Sequence, residues 1–327
     1  MYKIDLKDRK ILYELDLNCR QSNTQIGKKV GLKKDVVAYR IKRMQDEGII
    51  TKFWTVIDTF KLGYNVFRVY LNFQDISLDE KKKLIKNFVE YENSWAVYSV
   101  TGPIDLGAVF WVKNVYEFYK FLDKTLDEFG KYITQKIVSI YIQADEYEKS
   151  YLLLNEFNKK ERKNFSIKCV GEKIDIDELD YKILDIIALN ARIPLIDLAE
   201  KVGTSSQTIN YRLNNMIKSE VIKGFRIDID LSKLDLQYFD VRINLTNHSF
   251  RKNLIDFLKS TSYLKCINTA FGYTDLELEL VLENMDKLIQ IMDELDAKFP
   301  RVIRNYHLLK TKETYRERWL PEIKFQT

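Results

Sequence analysis

Histidine, cysteine, proline and glycine are all scarce in this chain of 327 residues, which holds 2, 3, 4 and 11 of them. The two histidines, His248 and His307, stand isolated in the sequence, and no nucleophile–base pair is legible around either. Cys19, Cys169 and Cys266 are odd in number and far apart, so neither a disulfide framework nor a metal-ligand spacing follows, and a reducing cytoplasm is the simplest setting. So few glycines leave no phosphate-cradling glycine loop. No apolar run approaches the roughly 20 residues needed to cross a bilayer. The opening segment MYKIDLKDRKILYEL is charged where a secretion signal would be apolar. The expectation is a cytoplasmic chain with no catalytic residues, metal, cofactor or membrane contact.

Two features are present in strength. Hydrophobic residues make up 46% of the chain and charged residues 31%, enough apolar material for several cores. The net charge of +5 is mild, so its distribution matters more than its sum. The second feature is repetition. Residues 5–73 align without a gap on 177–245, with 23 of 69 positions identical, including Asp5/Asp177, Asn18/Asn190, Arg20/Arg192, Gly31/Gly203 and Tyr39–Arg40/Tyr211–Arg212. Further on, Gly102-Pro-Ile-Asp105 meets Gly272-Tyr-Thr-Asp275. Two copies of a unit of this size do not make a solenoid, because each can bury its own core. Residues 155–170, NEFNKKERKNFSIKCV, have no counterpart and read as a basic linker with a short strand in FSIKCV.

The first half of each unit reads as three helices and a strand. Asp5 can cap a first helix with Asp8 as its reciprocal partner, and Ile11, Leu12 and Leu15 form its apolar face. Ser22 and Asn23 suit the start of a short second helix, and Gly31 its end. A third helix is expected over Lys34–Glu47, with Val37, Ile41 and Met44 on one face and Ile209, Leu213 and Met216 as their counterparts. Short helix, tight turn and longer helix form the helix-turn-helix pattern, whose last helix enters the major groove of DNA. The following ITKFWTVID has the aromatic and β-branched content of a wing strand.

The candidate DNA-contacting residues lie on the outer face of that third helix. In the first unit they are Lys33, Lys34, Asp35, Val36, Tyr39, Arg40, Lys42 and Arg43; residues 33–43 hold five cations and one acid, a net +4. Long cations there can neutralise phosphates and reach base edges; the ordinary alternative is a solvated charged face. The second unit offers Ser205, Ser206, Gln207, Thr208, Tyr211 and Arg212, with Asn210 and Asn214 beside them, and only one cation. Residues 1–60 sum to +5 (13 Lys/Arg, 8 Asp/Glu) and residues 173–232 to −2 (8 against 10). The first helix-turn-helix is therefore expected to dominate phosphate attraction. The second either reads bases with little of it or serves only the geometry of pairing.

The second half of each unit reads as βαββαβ. In the first unit the segments are 66–73, Leu78–Tyr91, Ser94–Thr101, Leu106–Val112, Val115–Phe129 and Tyr132–Ile142. In the second they are Phe239–Leu245, Phe250–Leu258, Leu264–Ala270, Leu276–Leu282, Met285–Phe299 and Val302–Leu309. This is a ferredoxin-like split fold with helices on one sheet face. Along 66–73, Phe67, Val69, Leu71 and Phe73 share one face and Arg68, Tyr70 and Asn72 the other. The uncovered face is a candidate pairing surface, between the two units, with another chain, or both. The fold class expected is α+β, two tandem units. The limits are 1–60 and 173–232 for the winged helix-turn-helix domains, 61–150 and 233–327 for the ferredoxin-like domains, and 151–172 for the linker.

On these motifs the chain resembles the Lrp/AsnC, or leucine-responsive, transcription regulators, over nearly its whole length and twice. The markers are D-x-x-D-x-K-I-L at 5–12, E-L-D-Y-K-I-L at 178–184, N-x-R at 18–20 and 190–192, V-A-Y-R-I-K-R-M at 37–44, I-N-Y-R-L-N-N-M at 209–216, and the G-x-x-D turns. The tandem form is archaeal in style. The resemblance implies double-stranded DNA as partner, homo-oligomers or an intrachain pseudo-dimer, and a small effector such as an amino acid near the G-x-x-D turn. Gly102, Asp105, Gly272 and Asp275 then become candidate effector-binding residues, although glycine making a turn and aspartate capping it would account for them structurally. Lys33 departs from the family's capping serine, which Ser205 keeps.

Siroheme decarboxylases resemble the same two-part unit. They would place histidine in the strand before the turn, but Trp95–Thr101 and Lys265–Ala270 contain none. A DNA-independent small-molecule sensor is the other alternative, and the basic face of the first recognition helix argues against it.

Overall fold

The computed structural model describes residues 3–154 and 162–323; part of the basic linker, 155–161, lies outside them. The first unit runs α1 (Leu6–Leu17), α2 (Asn23–Val30), α3 (Lys34–Asp46), β1 (Ile50–Ile57), β2 (Asn65–Phe73), α4 (Leu78–Glu90), β3 (Ser94–Thr101), β4 (Leu106–Val112), α5 (Val115–Phe129) and β5 (Ile133–Tyr147). A short β6 (Asn164–Lys168) follows, overlapping the expected FSIKCV segment. The second unit runs α6 (Glu178–Leu189), α7 (Leu195–Val202), α8 (Ser206–Lys218), β7 (Ile222–Ile229), β8 (Gln237–Leu245), α9 (Arg251–Lys259), β9 (Leu264–Phe271), β10 (Leu276–Leu282), α10 (Met285–Lys298) and β11 (Ile303–Glu317).

Local chemistry sets the helix ends. Asp5 and Asp8 exchange both bonds of a capping box on α1, and Ser22 and Gln25 do the same on α2. Gly31 closes α2 at φ +69°, a left-handed turn that costs glycine little. The apolar stripes of α1 and α3 bury Ile11, Leu12, Val37 and Met44 completely. Each such side chain contributes about 1.5–3 kcal/mol on leaving water. The apolar core is continuous across both helix-turn-helix domains, so the two are packed as one body.

The wing strand does not fold back on its own unit. β1 pairs antiparallel with β7, from Ile50 opposite Ile229 to Ile57 opposite Ile222, a two-fold-symmetric register between copies. The N-x-R motifs clasp the same junction reciprocally. Arg20 Nη1 donates to the Ala191 carbonyl at 2.6 Å, and Arg192 donates to the Cys19 and Gln21 carbonyls, the latter at 3.0 Å.

The two ferredoxin-like sheets close on each other. The strand order β2-β4-β3-β11-β8-β10-β9-β5, with β5 pairing back onto β2, is an eight-stranded barrel, and β6 extends it beside β5. Closure removes sheet edges that would otherwise be sticky. It requires β5 and β11 to run past their own sheets and pair with β9 and β3 of the other copy. Both strands are therefore longer than the expected 132–142 and 302–309. The face with Arg68 and Tyr70 is the barrel interior: these residues are 4% and 1% exposed. Of the pairing alternatives, the units pair with each other within one chain.

The lumen is polar and its charges are matched. Arg68 grips Glu277 with two bonds of 2.7 and 2.8 Å, Arg242 shares that carboxylate, and Arg242 also reaches Asp240 at 2.6 Å. Burial pushes the Glu277 carboxyl up, but the two guanidiniums outweigh it and hold it below its ordinary value. A second buried cluster ties the helix-turn-helix pair to the barrel. Arg226 meets Asp16 at 3.0 and 2.7 Å and Glu146 at 2.6 Å, and Lys149 lies 3.3 Å from Asp16.

Candidate nucleic-acid interface

The α3 stripe of Val37, Ile41 and Met44 faces the core and turns the opposite side outward. Lys33, Lys34, Asp35, Val36, Tyr39, Lys42 and Arg43 are all exposed, Tyr39 by 64%. Lys42 lies 3.2 Å from Asp46 in an exposed i,i+4 pair, a contact weak enough to yield to a phosphate. Lys33 occupies the N-cap of α3 without a side-chain hydrogen bond. The first-turn N–H groups there are left for an outside acceptor.

Arg40 and Arg212 belong elsewhere. Arg40 Nη1 lies 2.8 Å from both Asp5 and Asp8, and Arg212 Nη1 lies 2.5 Å from Asp177 and 3.2 Å from Asp180. In each copy this guanidinium clamps the recognition helix to the start of the first helix instead of pointing outward with its neighbours. The hydrogen bonds to Asp5 and Asp8 hold Arg40 further above its ordinary value, so it is charged at every accessible pH. Helical spacing alone places it on the groove face, because that spacing cannot show that α1 begins with two carboxylates opposite it.

On α8, Ser205 is the N-cap; its hydroxyl accepts from Thr208 N at 3.1 Å and lies 2.9 Å from Thr208 Oγ1. Gln207, Asn210 and Tyr211 are exposed, while Ser206 and Thr208 are half-buried. With Arg212 engaged, the outward face of α8 from Ser205 to Asn214 carries only neutral hydrogen-bonding groups.

The G-x-x-D turns sit at the two junctions between copies. A side chain at Gly102 (φ +138°) would come within 2.6 Å of the Leu308 carbonyl oxygen on β11, and one at Gly272 (φ +95°) would overlap the Val138 carbonyl on β5. Asp105 accepts from Phe73 N at 2.8 Å and Asp275 from Leu245 N at 2.7 Å. Each aspartate thus latches its own turn, and each glycine lets the other copy's strand approach. His307, isolated in the sequence, is not so in space: its Nε2 lies 2.9 Å from the Tyr273 hydroxyl beside the second turn. Burial, then nearby Arg242, lowers its pKa, favouring the neutral ring. Sequence alone shows no sign of this pair, because the positions aligned with Tyr273 and His307 are Pro103 and Ile137. The Asp16–Arg226 cluster was hidden for a similar reason: the aligned residues are Ala188 and Trp54.

Among the described residues no group of histidine, cysteine and carboxylate side chains is placed to hold a metal ion. No helix there is long and apolar enough to cross a membrane.

The winged helix-turn-helix DNA-binding family matches residues 4–51 and 176–223, the three-helix part of each copy. The chain is 31% identical over 120 residues to the HTH-type transcriptional regulator Ptr1 of Methanocaldococcus jannaschii, covering 36% of this chain and 79% of that protein. It is 30% identical over 120 residues to the HTH-type transcriptional regulator FL11 of Pyrococcus furiosus, covering 37% and 78%. Each of these matches corresponds in length to one unit. The whole chain is similar in architecture to the siroheme decarboxylase NirDL, with a TM-score of 0.63, 97% of this chain and 94% of that chain covered, and 10% identity, a likeness of fold alone. Two helix-turn-helix copies, their regulator relatives and the paired α/β sheets together make this chain a member of the Lrp/AsnC family of DNA-binding transcription regulators, in a form that carries two family units in tandem.

Proposed function

We propose that the chain controls transcription by gripping the phosphates of double-stranded DNA with α3 while α8 contributes neutral hydrogen bonds to the adjoining site. The observation that carries this reading is the cationic outer face of α3, with Lys33, Lys34, Lys42 and Arg43 exposed together, set against a helix α8 whose outer face is uncharged from Ser205 to Asn214. The β1–β7 ladder fixes the two recognition helices in one body, so the duplex should be met by both at once. Because the helices differ, the preferred site should be two unlike half-sites instead of a palindrome.

The effector proposal places a small molecule such as an amino acid at the turns of Gly102–Asp105 and Gly272–Asp275. It is supported by their position where one copy's strand crosses the other's sheet, so that a ligand there would act on how the copies pair. We further read the chain as non-catalytic. In support, the strands before both turns lack histidine, and His307 is engaged with Tyr273.

Binding to mixed genomic fragments, followed by a salt titration, tests the DNA reading. A steep loss of affinity on raising salt is expected. Absence of binding at low salt would instead leave a sensor that does not bind DNA.

A further inference from the structure

All four tryptophans of the chain line one cavity. Trp54 comes from β1, Trp95 from β3, Trp111 from β4, and Trp319 from the segment after β11. Its volume is about 100 Å³, and Phe60, Val66, Tyr141 and Ala144 are among the other residues of its wall. It opens between the strand that leaves the first recognition helix and the barrel, away from the G-x-x-D turns. Trp95 and Trp111 lie parallel with ring centres 5.4 Å apart, and Trp54 and Trp319 are 4.9 Å apart.

Three observations define what would fit. Flat aromatic walls favour a planar apolar body, which they can stack against. Trp111 is 1% exposed and its indole N–H is buried without a hydrogen-bond partner. That nitrogen is closed to a water-sized probe, so Trp111 meets the cavity with its ring and not with its N–H. Finally, the one ionisable acid in the wall, Glu146, already has its charge met by Arg226 at 2.6 Å. Among the described residues no cation lines the cavity to receive an anion, and no uncompensated carboxylate remains there to receive a cation.

The duplication supplies a control within the molecule. The positions aligned with Trp54, Trp95 and Trp111 are Arg226, Lys265 and Val281. There the cations are consumed in buried pairs, Arg226 with Asp16 and Lys265 with Glu279 at 2.6 Å. One copy uses this place for an ion network and the other keeps it aromatic and open.

We propose that the cavity of Trp54, Trp95, Trp111 and Trp319 binds a small uncharged aromatic molecule. A volume near 100 Å³ suits a single ring; cavities only somewhat larger take up benzene. Since β1 forms part of the wall, occupancy would bear on the joint between the first helix-turn-helix and the barrel.

The test uses the full chain and its own tryptophan fluorescence, which reports on this cavity alone because no other tryptophan exists. Benzyl alcohol, benzylammonium and benzoate are titrated in turn, the first two being alike in shape and different in charge. A saturable change with benzyl alcohol, at least 10-fold weaker with both ions, is expected. A Trp54→Ala variant, which lacks one aromatic wall, should bind benzyl alcohol about 10-fold more weakly. No saturable change with benzyl alcohol overturns the proposal, and so does binding of either ion as tight as that of the alcohol. If the variant does not fold, the ranking of the three probes on the unaltered chain decides. DNA takes no part in the measurement, so its outcome is separate from that of the DNA reading.

Discussion

The cationic face of α3 makes a quantitative demand on DNA binding. Replacing Lys33, Lys34 and Arg43 together by glutamine removes three cations from a face that is exposed throughout and leaves the buried stripe of Val37, Ile41 and Met44 untouched. Each phosphate neutralised on duplex DNA contributes about 0.9 to the slope of log affinity against log salt. The triple variant should therefore lose up to about 2.7 from that slope. Between roughly 50 and 200 mM salt, this amounts to about 1.6 decades, or some 40-fold, of salt sensitivity that the variant no longer shows. Fluorescence anisotropy with a labelled duplex of mixed genomic sequence, repeated at several salt concentrations, measures the slope directly. A companion variant, Ser206→Ala with Asn210→Ala, should weaken binding with its slope unchanged, because those groups on α8 carry no charge. A triple variant that keeps its slope would show that α3 does not lie on the phosphates. A larger loss of affinity in the α8 variant would refute the assignment of unequal roles to the two helices.

Arg40→Gln separates the clamp from the groove face: it should cost stability, about 1–3 kcal/mol for the carboxylates left facing one another, while the salt slope stays within error. Asp16→Asn should be severe, about 3–5 kcal/mol by urea denaturation, because Arg226 and Lys149 would remain buried with too little opposing charge. Asp16 also carries a pH signature. Burial raises its carboxyl, but Arg226 and Lys149 outweigh this and hold it below its ordinary value. Its stabilisation is thus complete above the unfolded carboxylate pKa, near 4, and is lost as pH falls through the lower folded value. The denaturation midpoint should drop over that acidic window, and less steeply in the asparagine variant. Gly272→Ala should lower the melting temperature, since the added methyl would strike the Val138 carbonyl at a backbone angle alanine avoids.

Much of the fold was legible because each copy can satisfy its local rules alone. The Asp5–Asp8 cap, the Ser22 cap and the three-and-four spacing of Val37, Ile41 and Met44 all depend on neighbours in sequence, and each appears in the structure as read. What sequence could not supply lies where the copies meet. The period-two pattern of Arg68, Tyr70 and Asn72 identified a second sheet face but not that it would close into a lumen with Glu277 as the partner of Arg68. β5 and β11 continue beyond the expected ends because strands of the other copy wait to pair with them. Nothing local marks such an extension. Arg40 illustrates the limit at the candidate site: helical spacing puts it among the DNA-facing cations, and only the packing of α1 against α3 assigns it to Asp5 and Asp8.

The charges at the junctions also specify which copy pairs with which. Asp16 of the first unit is met by Arg226 of the second, while the aligned residues are Ala188 and Trp54. Arg68 of the first is met by Glu277 of the second, while the aligned residues are Asp240 and Gly107. Two first units brought together would set Asp16 against tryptophan, leaving it Lys149 alone, and Arg68 against glycine, stranding the guanidinium in a closed interior. Two second units would set Arg226 against alanine and Asp240 near Glu277. An uncompensated buried charge costs several kcal/mol, and each wrong pair would hold more than one. The covalent link raises the effective concentration of the right partner, but the ion pairs already select it. A fixed partnership of one first and one second unit always presents α3 beside α8. Under that constraint, and on the proposed division of roles, a duplex that meets α8 also meets the cations of α3, so α8 need carry none of its own.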